Sequence, residues 1–64
     1  MNINTLLYAT PELSRMIAEL DDEVFRGETI VRSQISAIHT HPDFTQVAEI
    51  CREIMARAEA VCRN

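Results

Sequence analysis

The amino-acid sequence predicts an all-α fold, and three observations carry that reading. Apolar residues recur at steps of three and four along most of the chain, no stretch alternates apolar and polar residues as a half-buried strand does, and there is no glycine-rich loop. The strongest stripe lies near the C-terminus, where Phe44, Val47, Ala48, Cys51, Ile54, Met55, Ala58, Val61 and Cys62 fall on one broad helical face. A chain of 64 residues is one domain, 1–64, and buries only about 60% of the surface it exposes when unfolded. What covers the apolar stripe is therefore the central question.

The first helix starts at Thr10-Pro11-Glu12. Thr10 can cap, Pro11 suits the first helical position, and Glu12 meets the positive end of the helix dipole. Residues 1–9 are expected to be flexible or packed back on the bundle, offering Ile3, Leu6, Leu7 and Tyr8 as cover. From Leu13 the apolar register runs through Met16, Ile17, Leu20 and Val24 and, past Gly27, through Val31, Gln34 and Ile38 to His41, with Ile30 and Ile35 flanking it. Because this seam crosses Gly27 without a change of phase, the register favours one long helix over about 11–39, bent near Gly27. The alternative is three short helices, with Gly27 as the left-handed residue that ends the first and Glu28 or Thr29 starting the second.

Thr40-His41-Pro42-Asp43 interrupts the pattern, because the residue before a proline is disfavoured in helical conformation. Asp43 with Gln46 then forms a capping box for a second helix over about 43–62. On its polar side Glu53 and Arg57, and Glu59 and Arg63, are i,i+4 pairs in the favourable order, each worth about 0.3 kcal/mol when exposed. A helix of 11–39 is about 43 Å long and one of 43–62 about 30 Å, so an antiparallel hairpin leaves roughly 13 Å of seam uncovered. The simplest cover is a second copy, giving a homodimeric four-helix bundle. Its seam would be Leu13, Ile17, Leu20, Val24, Val31, Gln34, Ile38, Phe44, Val47, Cys51, Ile54, Met55, Ala58, Val61 and Cys62, with the polar Gln34 setting register.

Charge and residue usage narrow the function. Ten acidic residues against six basic ones give a net charge of −4, which repels phosphate backbones and argues against direct nucleic-acid binding. All the basic residues are arginines, so Schiff-base and P-loop lysine chemistry are excluded. No apolar run approaches the ~18 residues of a membrane span, and the first ten residues lack the positive charge of a signal peptide. With only two cysteines, Cys51 and Cys62, the expectation is reduced thiols in the cytoplasm.

No constellation of residues points to an enzyme, and no cofactor is expected. His39, His41, Asp43 and the two cysteines include zinc-ligating atoms, but Cys51 and Cys62 lie about 16 Å apart along one helix and cannot reach the same ion. Both thiols fit core positions, and the histidines fit a hinge where they cap helix ends. Glu19, Asp21, Asp22, Glu23 and Glu28 form a dense acidic stretch, read either as a solvated face or as a docking surface for a basic partner.

The function expected is that of a non-catalytic adaptor or inhibitor that binds and regulates another protein. In size and charge the chain resembles phage- or plasmid-type inhibitors of host transcription regulators. In layout it is similar to co-chaperones of type III secretion needle subunits, with two helices and a polar turn before an aliphatic last helix. That second likeness implies a protein that shields a helical partner, and a small metal-binding protein is the third reading.

Overall fold

The computed structural model describes residues 11–63, and every regular element among them is a helix. Helix α1 spans Pro11–Phe25, α2 spans Arg32–His39 and α3 spans Phe44–Val61. Helix α1 packs along α3, and the short α2 touches both. The readings of Thr10 as a cap and of residues 1–9 as cover lie outside the described residues.

The long helix over 11–39 does not form; the three-helix alternative does. Gly27 has φ +73°, and its N–H bonds the Val24 carbonyl at 3.1 Å while the Glu28 N–H bonds the Glu23 carbonyl at 2.9 Å. These two bonds make a Schellman motif, which satisfies carbonyls orphaned at the end of α1 and turns the chain away. The next helix begins at Arg32, later than the expected Glu28 or Thr29. Thr29, Ile30 and Val31 are β-branched and favour extended backbone, and Val31 caps α2 at φ −114°, ψ 156°. The continuous apolar phase across Gly27 therefore reflects two helices that each present one face to the same core.

Folding α2 back changes what covers the seam. Leu13, Ile17 and Leu20 of α1 pack with Ile35 and Ile38 of α2 and with Val47, Cys51, Ile54, Met55 and Ala58 of α3, all of them at most 4% exposed. Burying each large aliphatic side chain contributes about 1.5–3 kcal/mol. The hairpin with 13 Å of uncovered seam is thus replaced by a core closed largely within one chain, and the length argument for a dimer falls away. Val24, Phe44 and Cys62 are partly buried at the margins of this core.

Ile30 in the linker is fully buried, although the long-helix register placed it only at the flank. The extended linker carries it inward and is tied down from the other end of the chain. The Arg63 N–H donates to the Ile30 carbonyl at 2.8 Å, and Val31 and Arg63 form an isolated parallel β-bridge. Val61, expected in the seam, is 51% exposed. It borders a surface recess of about 180 Å³ lined by Val24, Gly27, Glu28, Thr29 and Arg63, where the glycine has no side chain to cover it.

The break at 40–42 is where the sequence places it, but the capping is different. The Asp43 N–H is taken by Nδ1 of His41 at 3.1 Å, and the Asp43 side chain caps no backbone donor of α3. The Asp43–Gln46 capping box is therefore replaced by an imidazole cap. Among the described residues the arginine ion pairs join Arg26 to Asp22 and Arg52 to Glu49, in place of the expected Glu53–Arg57 and Glu59–Arg63 pairs.

Because Gly27 holds a conformation that L-residues adopt only with strain, Gly27→Ala should destabilise the fold by about 1 kcal/mol. Gly27→Asn should cost less, since asparagine tolerates the left-handed region. Urea unfolding followed by circular dichroism measures both, and a more stable alanine variant would contradict the turn.

Candidate functional site

The acidic stretch read from the sequence divides in three dimensions. Asp22 projects from the solvent side of α1 and pairs with Arg26 at 3.1 Å, with both side chains more than half exposed. Asp21 is half-buried on another flank, and Glu28 lies beyond the Gly27 turn beside Val61 and Arg63. Glu19 and Glu23 remain together, one helical turn apart, on the flank of α1 that faces α2.

Between those two helices runs a groove of about 200 Å³ lined by Met16, Glu19, Leu20, Glu23, Gln34, Ala37 and Ile38. Its shape follows from the helical spacing. Met16, Leu20 and Glu23 recur at four and three residues on α1, and Gln34, Ala37 and Ile38 at three and one on α2, so each helix turns one edge toward the other. Leu20 and Ile38 form an apolar floor, Met16 is a flexible wall, and Ala37 leaves the α2 side open.

Gln34 holds one end of this groove. Its Oε1 accepts the Val31 N–H at 2.8 Å, and its Nε2 donates to Glu23 Oε1 at 2.7 Å. The first bond satisfies an orphan donor at the start of α2 and is the half of a capping box that the N3 side chain supplies; valine has no side-chain acceptor for the other half, and the Gln34 N–H bonds the Val31 carbonyl at 3.1 Å. The second is a charge-assisted hydrogen bond between α1 and α2. Gln34 thus links the start of α2 to α1 within one chain.

The remaining candidate groups lie apart from this groove. His41 accepts the Asp43 N–H through Nδ1, so the neutral ring carries its proton on Nε2, which donates to Glu12 Oε1 at 3.1 Å and pins the start of α1 to the α2–α3 corner. His39 stands edge-on to Phe44 with ring centroids 4.9 Å apart. Cys51 is fully buried and Cys62 half-buried, both as free thiols. Burial pushes the Cys51 thiol pKa up, partly offset by a backbone hydrogen bond. Among the described residues no three His, Cys, Asp or Glu side chains converge on a point where a metal ion could sit. No described helix is long and apolar enough to cross a membrane.

Fold and groove together define the chain as a small all-α protein with an acidic-rimmed recess between α1 and α2. Comparison with protein-family models, with curated proteins and with solved structures finds no match. The clamp role of Gln34 is not visible from spacing alone, because the long-helix register places it on the seam. The signal that points to it is its position three residues after Val31, at the end of the β-branched run.

Two measurements follow from this geometry. Gln34→Ala should destabilise the fold by roughly 1–3 kcal/mol, because it leaves the Val31 N–H without its acceptor and unlinks Glu23. In native buffer near neutral pH a thiol-alkylating reagent should label Cys62 well before Cys51, whose raised pKa and burial suppress the reactive thiolate. Mass spectrometry of timed digests reads the order, and equal labelling rates in folded protein would contradict the buried position of Cys51.

Proposed function

We propose that this chain is a non-catalytic protein-interaction module that docks a basic, amphipathic segment of another protein in the α1–α2 groove. The observation that carries this reading is the pairing of an apolar floor, Leu20 and Ile38, with the acidic rim residues Glu19 and Glu23. Apolar anchors would supply affinity, and the rim would select positive charge and speed encounter. A net charge of −4 extends the same bias over the whole surface. The two free thiols support a reducing compartment, so the partner is sought among cytoplasmic proteins.

An arginine-rich segment of a transcription regulator is a partner of this chemistry, and holding it would make the chain an inhibitor by occlusion. The co-chaperone reading rests on a two-helix layout, whereas the described residues form three helices. Self-association stays within the proposal on a different ground from seam length. A chain of this size gains stability from a second copy, and the flank of α3 carries a second recess, of about 260 Å³, beside Phe44, Ala48 and Met55.

Affinity capture with the tagged full chain, compared with its Glu19→Arg variant, tests the docking surface. Wild type should retain a basic partner that high salt releases, and the variant should lose it while keeping its helical circular dichroism. A partner retained equally by both chains, or held regardless of salt, overturns docking through this rim.

A further inference from the structure

We infer that the outward flank of α3 is a self-association face, on which two copies pair antiparallel about a two-fold axis passing between Met55 and Ala56. The inference rests on the self-association included in the proposed function and specifies its geometry. Ala48, Arg52, Met55, Ala56 and Glu59 recur at four, three, one and three residues; Ala48 and Met55 form the margin this flank shares with the core stripe, and the exposed Arg52, Ala56 and Glu59 continue around α3 beyond it. The same residues, with His39 and Phe44, line the recess of about 260 Å³. Met55 supplies an apolar base, and the small side chains of Ala48 and Ala56 leave room for another helix to approach to roughly 8–10 Å.

Charge on this stripe selects the occupant and its direction. Arg52 and Glu59 are both exposed and stand two turns apart, about 10.5 Å along the helix axis. In an antiparallel pair with its axis between Met55 and Ala56, Arg52 of each copy faces Glu59 of the other, so one surface satisfies itself twice. A parallel pair would set Arg52 against Arg52 and Glu59 against Glu59, which is repulsive at both ends. Among the described residues Arg52 pairs with Glu49 through a 3.7 Å contact, with both side chains about four-fifths exposed, so turning it to a second copy gives up little. The edge-on pair of His39 and Phe44 walls one end of the recess, and the two-fold brings the last turn of the second α3 toward that wall. None of these residues lines the α1–α2 groove, so pairing leaves both partner grooves accessible.

Sedimentation equilibrium of the full chain over a micromolar concentration series tests this, with circular dichroism to verify folding. Wild type should sediment as a dimer. Arg52→Glu and Glu59→Arg should each raise the dimer dissociation constant at least about tenfold, since each turns two attractive contacts into repulsive ones. The double variant R52E/E59R, which restores both pairs with their signs exchanged, should return the constant to within about threefold of wild type. Ala56→Glu, which places a charge beside its own copy at the axis, should give monomers. A wild-type chain that stays monomeric overturns self-association altogether and leaves the Glu19 capture result untouched. A wild-type dimer unaffected by either single change, or a double variant no better than the singles, overturns this face alone.

Discussion

The left-handed turn at Gly27 is the constraint on which the arrangement of this chain depends. A helix continuing through that residue would carry α2 away from the first two turns of α1 and leave them without an intrachain cover. With φ at +73° and the two reverse hydrogen bonds to Val24 and Glu23, the chain instead leaves α1 at a sharp angle. The linker then runs extended, Ile30 enters the core, and α2 returns alongside α1. A marginal domain of this size cannot leave that much apolar surface exposed, so the conformation of one backbone position decides whether the core closes within the chain.

Three polar contacts hold what the turn makes possible, and they lie at the joints between helices. Gln34 ties α2 to Glu23 of α1, His41 ties the α2–α3 corner to Glu12, and the Arg63 amide ties the end of the chain to the linker at Ile30. Each satisfies a backbone or side-chain group that the change of direction would otherwise leave unpaired. The α1–α2 groove is a by-product of the same geometry. Two helices meeting at a clamp at one end, with Ala37 as a small residue midway, leave a recess whose acidic rim comes from the exposed edge of α1.

Much of this was legible in the sequence, and the misreadings have identifiable causes. The helical class and the core positions Leu13, Ile17, Leu20, Ile38, Val47, Cys51, Ile54, Met55 and Ala58 follow from apolar spacing, which reports burial directly, and the helix bounds at Pro11 and at 40–42 follow from proline chemistry. Spacing does not report backbone direction. Two helices that face one core keep a common phase even when a turn separates them, so the register across Gly27 could not separate a bend from a reversal. Local chemistry could have done so: a lone glycine followed by Thr29, Ile30 and Val31 favours a stop and an extended segment. The acidic cluster was legible as composition only, because which of its members share a groove depends on where α2 lies.

The same fold places the two proposed faces on separate elements, and this bears on how a small acidic chain could act on a larger partner. The partner groove lies between α1 and α2, and the self-association stripe lies on α3. A two-fold pair of such chains presents two grooves at a fixed separation. A partner that is itself a dimer, with one basic segment in each half, would meet both, and the second contact would form at an effective concentration set by geometry. Weak docking on recesses of about 200 Å³ would then suffice for tight overall binding, provided the spacing of the partner's segments matches that of the grooves. Without pairing on α3, each groove must supply the whole affinity from a floor of two aliphatic side chains and a rim of two carboxylates, which is little area for a stable complex.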